Sequence, residues 1–229
     1  MVTLALDTTT RMPTCALVAD AVVEGAWEGR SDESPAAQLP MGLQHALNQA
    51  RRPMTDLDVL AVAVGPGSFT GLRVGIATMQ GLAVALGLPL IGVSSLEALA
   101  VHAGAADGGA GVVAAWVDAW RGEVYAGLYR AGREERSPVV AQPDDVLRDL
   151  SGDVLFVGNG CDAHRGRLAA WTGGTARLAP VMQPALAETI ARLASARAAG
   201  GERPAPDAIA SVYVRRPDPE LARDRKQHT

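Results

Sequence analysis

Residues 64–75 read V-G-P-G-S-F-T-G-L-R-V-G, where glycines, hydroxyls and one arginine crowd together. The run follows an apolar stretch that reads as a buried strand and precedes one that reads as a helix. Glycine turns at such junctions bare backbone N–H groups that can hold an anion or meet a partner surface. Two phosphate loops lie close, and neither is met. A Walker loop needs G-x-x-x-x-G-K-[ST], and Leu72 follows Gly71 where lysine should stand. A dinucleotide fingerprint needs G-x-G-x-x-G, but Gly65-Pro66-Gly67-Ser68-Phe69 is followed by Thr70. The nucleophile elbow G-x-S-x-G is also absent, because Gly67 directly precedes Ser68.

The other groups that could do chemistry are scattered. Asp7-Thr8-Thr9-Thr10 sets an acid beside three hydroxyls, to meet a ligand or to bond its own backbone as a turn. Asp118, Arg121 and Glu123 cluster beside Tyr125 and can pair across a turn or edge a cleft. Gly158-Asn159-Gly160 reads as a tight turn or as backbone near a nucleoside. Arg215 and Arg216 can meet phosphate or stay solvated. His45, His102, His164 and His228 match no zinc spacing, and H-E-x-x-H is absent. Cys15 and Cys161 form no disulfide framework and, set among apolar residues, are expected to be buried and inert.

The elements that must position these groups follow from pattern. Strands are expected at 2–7, 15–19, 22–29, 59–64, 90–93, 112–118, 123–129 and 154–157. Helices are expected at 36–52, with Leu39, Leu43 and Leu47 on one face, and at 72–86, 144–150 and 184–199. A further helix is capped by Ser94 or Ser95 and runs through His102. Residues 103–111 read as a linker between a first unit, 1–103, and a second, 104–229. The last stretch, about 205–229, is expected to pack back on the first unit. No tandem repeat is visible. The chain has 229 residues, 48 % hydrophobic and only 4 % aromatic, so its cores must be built from Ala, Val and Leu. The net charge of −4, all of it within the first hundred residues, speaks against a free-standing nucleic-acid binder. No positively charged leader precedes the first apolar run. The weakly polar stretch around Gly81 and Gly87 falls short of a membrane span.

The helix at 72–86 is unusual. No charge occurs from Val74 to Leu96, and Gly71 with Gly75, and Ala77 with Gly81 and Ala85, recur at a spacing of four. Such a face permits close backbone approach. Either the helix is buried on both sides, or another subunit covers its outer face. In the second case Met79 would suit an adaptable interface, and Met41, Leu43 and His45 could supply the neighbouring ridge.

Together with the glycine loop, several segments resemble the TsaB (YeaZ) family. They are the opening L-A-L-D-T-T, the run G-L-P-L-I-G-V-S-S-L from Gly87, V-D-A-W-R-G-E-V-Y from Val117, and V-Y-V-R from Val212. The resemblance implies an α/β, two-lobed actin/Hsp70/sugar-kinase-like (ASKHA) fold with a reduced second lobe. It implies a non-catalytic subunit that pairs with the transferase TsaD, which makes N6-threonylcarbamoyladenosine at adenosine 37 of ANN-reading tRNAs. It further implies that the ATPase TsaE joins the complex and that the chain alone forms a homodimer. tRNA is met only through the complex, in the cytoplasm and away from membranes. The expected interface residues are Met41, His45, Thr70, Arg73, Val74, Gly75, Thr78, Met79 and Leu82.

Phosphotransferases of this fold carry D-x-G-T at the first turn. Thr9 stands where that glycine would be, and a side chain there hinders close approach to a phosphate. No cofactor is therefore required and no catalytic or metal residue is expected. Asp7, Thr8, Thr9, Gly65 and Gly67 keep at most weak ATP or ADP binding near the partner interface. The transferase carries an H-x-x-x-H metal pair, and the corresponding stretch here, 30–40, holds no histidine. The alternatives are a small ATP-dependent kinase of the same fold, against which Thr9 argues, and a metallopeptidase, which the scattered histidines do not support.

Overall fold

The computed structural model describes residues 1–109 and 111–212. Two five-stranded sheets form its frame. In the first, β1 (Val2–Asp7), β2 (Thr14–Ala19), β3 (Val22–Glu28), β4 (Val59–Gly65) and β5 (Leu90–Ser94) lie in the order β3-β2-β1-β4-β5. All six residues of β1 are buried, and it pairs antiparallel to β2 and parallel to β4, with Leu4 between Leu17 and Leu60. Asp20 and Ala21, both at positive φ, make the two-residue turn from β2 to β3. The second sheet has β6 (Val112–Asp118), β7 (Val124–Arg130), β8 (Arg133–Ala141), β9 (Gly152–Val157) and β10 (Gly174–Leu178), ordered β10-β9-β6-β7-β8. Each sheet is an antiparallel meander whose first strand then pairs parallel to the fourth. The two halves thus repeat one topology, a repeat that the sequence does not reveal.

Seven helices complete the described fold: α1 (Pro35–Ala50), α2 (Phe69–Leu86), α3 (Ser95–Ala106), α4 (Pro143–Arg148), α5 (Asn159–Ala163), α6 (Arg165–Ala169) and α7 (Ala187–Ala199). Alternation along the strands sorts the core into layers. Leu4, Leu6, Leu60 and Val62 face outward under α1 and α2, with Leu39, Leu43, Leu47, Ile76 and Met79. Ala5, Ala61 and Ala63 face inward and meet Ala191, Ala194 and Ala198 of α7. On the far side of the second sheet, Trp116, Phe156 and Leu168 form a third cluster. The helices between the sheets cross over. α3, which follows the first sheet, packs on β6, β7 and β9, whereas α7, which follows the second, packs on β1, β2, β4 and β5. Small residues on both sides let α7 lie close to the first sheet.

Several expectations change. α3 continues to Ala106, so it takes the first four residues of the expected linker. α2 begins three residues early, because Ser68 caps it by accepting from the Gly71 N–H. Gly158-Asn159-Gly160 is the start of α5 and not a free turn, with Gly158 at φ 108°. β8 and β10 were not expected: they are edge strands, and β8 opens on R-E-E-R. Charges at a sheet edge discourage pairing with other chains and hide the strand pattern. Residues 206–212 run beside α2 and β4. Gln80 donates to the Pro206 and Ile209 carbonyls at 3.0 and 2.9 Å, and the Val212 N–H donates to the Val64 carbonyl at 2.8 Å. Tyr213, Val214, Arg215, Arg216 and His228 lie outside the described residues.

Candidate functional site

The glycines of the signature loop face the first turn of the chain. Thr8 is fully buried, and a Cβ on Gly75 would overlap its side chain. A Cβ on Gly71 would overlap the Thr8 carbonyl, and one on Gly67 would sit 2.5 Å from the Thr9 Cβ. The Ser68 N–H donates to the Thr9 carbonyl at 2.8 Å. Positions 67, 71 and 75 thus form a socket into which Asp7-Thr8-Thr9 is pressed, one helix turn per glycine. Gly65, at φ 103°, supplies the backbone bend into the loop. The N–H groups of Ser68, Gly71 and Leu72 are spent inside the chain, which removes three of the amides a phosphate cradle would use.

Asp7 bonds its own turn: its Oδ1 accepts from the Thr9 N–H at 2.8 Å. Burial pushes its carboxyl above the usual carboxylate range, and the bonds from Thr9 pull the other way. Beyond this turn an open cleft of about 720 Å³ runs between the ends of the two sheets. Among the described residues, Asp7, Glu28 and Asp118 line it against one cation, Arg11. That balance repels a polyphosphate that arrives without counter-ions. The cleft also carries exposed apolar groups: Met12, Phe69 and Trp120, the last 71 % exposed. Trp120, Arg121 and Gly122 all lie at positive φ, and Asp118 steadies the turn by accepting from the Trp120 N–H at 2.9 Å. Sequence reading noted Asp118, Arg121 and Glu123 here but passed over Trp120.

The outer surface of α1 and α2 is the second feature. Met41 is 74 % exposed and His45 is exposed beside it. On α2, Thr70 and Arg73 are exposed, with the Arg73 guanidinium 3.8 Å from the Phe69 ring centroid. Val74, Thr78 and Leu82 are half-buried, and the Thr78 hydroxyl donates to the Val74 carbonyl. Three expectations fail. Met79 is 0 % exposed in the core beneath α2, Leu43 is buried in the same cluster, and Gly75 faces Thr8. They cannot present an outer ridge. The small residues split into two stripes: Gly71 and Gly75 face in, while Ala77, Gly81 and Ala85 face out. A Cβ on Gly81 would meet nothing within 4 Å. Val84, 72 % exposed, lies beside the outer stripe and was missed, although it stands one heptad after Ala77. α2 is long and apolar enough to cross a bilayer by length and composition alone. Its inner side, however, packs Leu72, Ile76, Met79 and Ala83 into the protein.

Among the described residues no cluster of three His, Cys, Asp or Glu side chains could hold a metal ion. Cys15 and Cys161 are free and buried; burial pushes the Cys15 thiol up to about 12 and raises that of Cys161 as well. Neither thiol is a nucleophile at neutral pH.

Residues 34–224 match the family model described as TsaD, tRNA N6-adenosine threonylcarbamoyltransferase. The tRNA threonylcarbamoyladenosine biosynthesis protein TsaB of Escherichia coli K12 is 36 % identical over 220 residues, covering 93 % of this chain and 94 % of that protein. The TsaB protein of Bacillus subtilis is 30 % identical over 172 residues, 72 % of this chain and 74 % of that one. Among solved structures, YeaZ from Pseudomonas aeruginosa superposes with a TM-score of 0.82 at 31 % identity, over 93 % of this chain and 99 % of that one. A ROK hexokinase from Thermus thermophilus superposes at 0.51 with 14 % identity, over 86 % of this chain and 100 % of that one. This second likeness speaks for the fold alone, which is of the actin and sugar-kinase type.

Proposed function

The chain belongs to the TsaB (YeaZ) family, and we propose that it is a non-catalytic scaffold for threonylcarbamoyladenosine formation on tRNA. In this reading it pairs with the transferase TsaD through the outer face of α1 and α2 and holds that subunit competent. TsaE joins the pair, tRNA is met only through the complex, and the setting is the cytoplasm. Without its partner, the same face pairs with a second copy.

The observation that carries the reading is the outer stripe of α2. Ala77, Gly81 and Ala85 with Val84 expose an uncharged, small-residue surface on α2, and Met41 and His45 are exposed on α1. A free surface helix normally shows a charged face. The match of residues 34–224 to the transferase's own family model fits a chain that shares the transferase's fold. A kinase reading is favoured by the sugar-kinase likeness of the fold. It is disfavoured by Thr9 seated on Gly67 and by the acids of the cleft. No cofactor is assigned; ATP or ADP binding at Asp7, Thr8, Thr9, Gly65 and Gly67 is expected to be weak.

Reconstitution tests this reading. Purified TsaD and TsaE, supplied with threonylcarbamoyl-adenylate and an ANN-reading tRNA, should modify the tRNA much faster with this chain than without it. Equal rates with and without the chain would overturn the scaffold role. Turnover of Mg-ATP by the lone chain would favour the kinase instead.

A further inference from the structure

Two helices hold the sheets to each other, and each belongs by sequence to one half and by packing largely to the other. α3 follows the first sheet and packs on β6, β7 and β9, while α7 follows the second and packs on β1, β2, β4 and β5. The apolar core between the sheets is continuous. Ala61 and Val93 of the first sheet, Ala115 and Val157 of the second, and Ala194 of α7 all lie in one buried cluster. Two lobes move against each other by default where their contact is small and polar. Across an apolar, close-packed contact, a hinge would have to carry buried surface into water.

Both helices are also pinned near their carboxy-terminal ends. The Arg197 guanidinium, in the last turn of α7, donates to both carboxylate oxygens of Glu97 on α3 at 2.6 Å and to the Gly92 carbonyl of β5 at 2.8 Å. The Arg197 and Glu97 side chains are 30 % and 20 % exposed, so salt screens the pair little. A planar fork held at three acceptors fixes direction as well as distance. Just past α3, Asp107 accepts from Arg177 of β10 at 2.6 and 2.9 Å, and Arg177 also donates to Asp153 of β9. Within α7, the Ser195 hydroxyl bonds the Thr3 hydroxyl of β1 at 2.8 Å. The segment after α7 then returns to the first sheet at Val64.

We propose that the two sheets are locked as one body, with α3 and α7 as crossed bolts and Arg197 as the pin, so that the cleft between the sheet ends keeps one width. Enzymes that close two lobes around a substrate expel water from it. A molecule entering this cleft instead stays in contact with water, and the faces on either side of the cleft keep one fixed relation. The lock goes beyond the scaffold reading and does not rest on it.

Two measurements on the full chain test the lock. Spin labels on Val22→Cys, exposed at the edge of the first sheet, and Ala170→Cys, exposed beyond α6 on the far side of the second, report the opening by pulsed electron resonance. The native cysteines are buried and stay unlabelled, and dilution into unlabelled chain leaves only distances within one molecule. One distance is expected, unmoved by Mg-ATP. Two distances, or one that shifts with Mg-ATP, would overturn the lock. Arg197→Met removes the pin and keeps an apolar stem. Amide hydrogen exchange should then quicken in β1 and β6 by the same factor, about tenfold, because the sheets open together. Faster exchange in one sheet alone would show two separate bodies, and unchanged exchange in both would overturn Arg197 as the pin.

Discussion

Thr8 explains what the glycines of the signature loop are for. Spacing alone marks Gly67, Gly71 and Gly75 as positions of close approach, but the same spacing serves a ligand or a turn of the chain itself. The structure shows the turn. Alanine at 71 would strike the Thr8 carbonyl, and alanine at 75 its side chain. Each should cost about 1–3 kcal/mol by overpacking, measured by urea unfolding. Thr8→Ala should relieve much of the cost at 75 and little at 71, because the carbonyl stays. Equal rescue at both positions would contradict the socket. Asp7 carries a second expectation. Its folded carboxyl titrates above its unfolded value, so the folded state holds its proton longer and stability falls as pH rises through that window. Asp7→Asn keeps an acceptor for the Thr9 N–H and removes the buried charge. Its stability relative to the parent should therefore increase from pH 4 toward neutrality. A flat difference would show that the charge is not penalised.

At the scale of elements, α2 is the informative helix. Its sequence was legible as an apolar helix with small residues at a spacing of four. Which stripe faced outward was not, because Gly75 and Gly81 look alike until the strand beneath is placed. Met79 misled for the same reason: a flexible apolar side chain suits a core as well as an interface. Gly81 has open space at its Cβ, so Gly81→Ala should stabilise the free chain by about 0.5–1 kcal/mol. The same methyl should weaken pairing if a partner backbone lies against it. Thermal unfolding and partner titration should therefore move in opposite directions, and movement of both in the same direction would argue against the outer stripe as a seam. β1, β4 and β6 were readable because they are apolar apart from Thr3 and the terminal Asp7 and Asp118, whereas β8 and β10 carry edge charges that mask the alternation.

Across the whole molecule, layers of helix and sheet alternate, and the inner ones are joined through alanines. The composition made this legible, since few aromatics and many alanines allow only closely spaced layers. The exchange of α3 and α7 between the sheets was not, because it depends on contacts far apart in sequence. Ala194 of α7 is 0 % exposed in the inner cluster, so Ala194→Leu should cost about 1–3 kcal/mol. Substitutions at the exposed Val84 should cost almost nothing. On the outside of this stack, α1 and α2 form the surface that we propose pairs with a partner. Calorimetric titration of the chain against purified TsaD, with the parent and Gly81→Arg compared, tests it most directly. The parent should form a one-to-one complex. The variant should melt no lower than the parent, with affinity weakened at least about tenfold. A folded Gly81→Arg that binds like the parent, or a parent that does not bind at all, would contradict it.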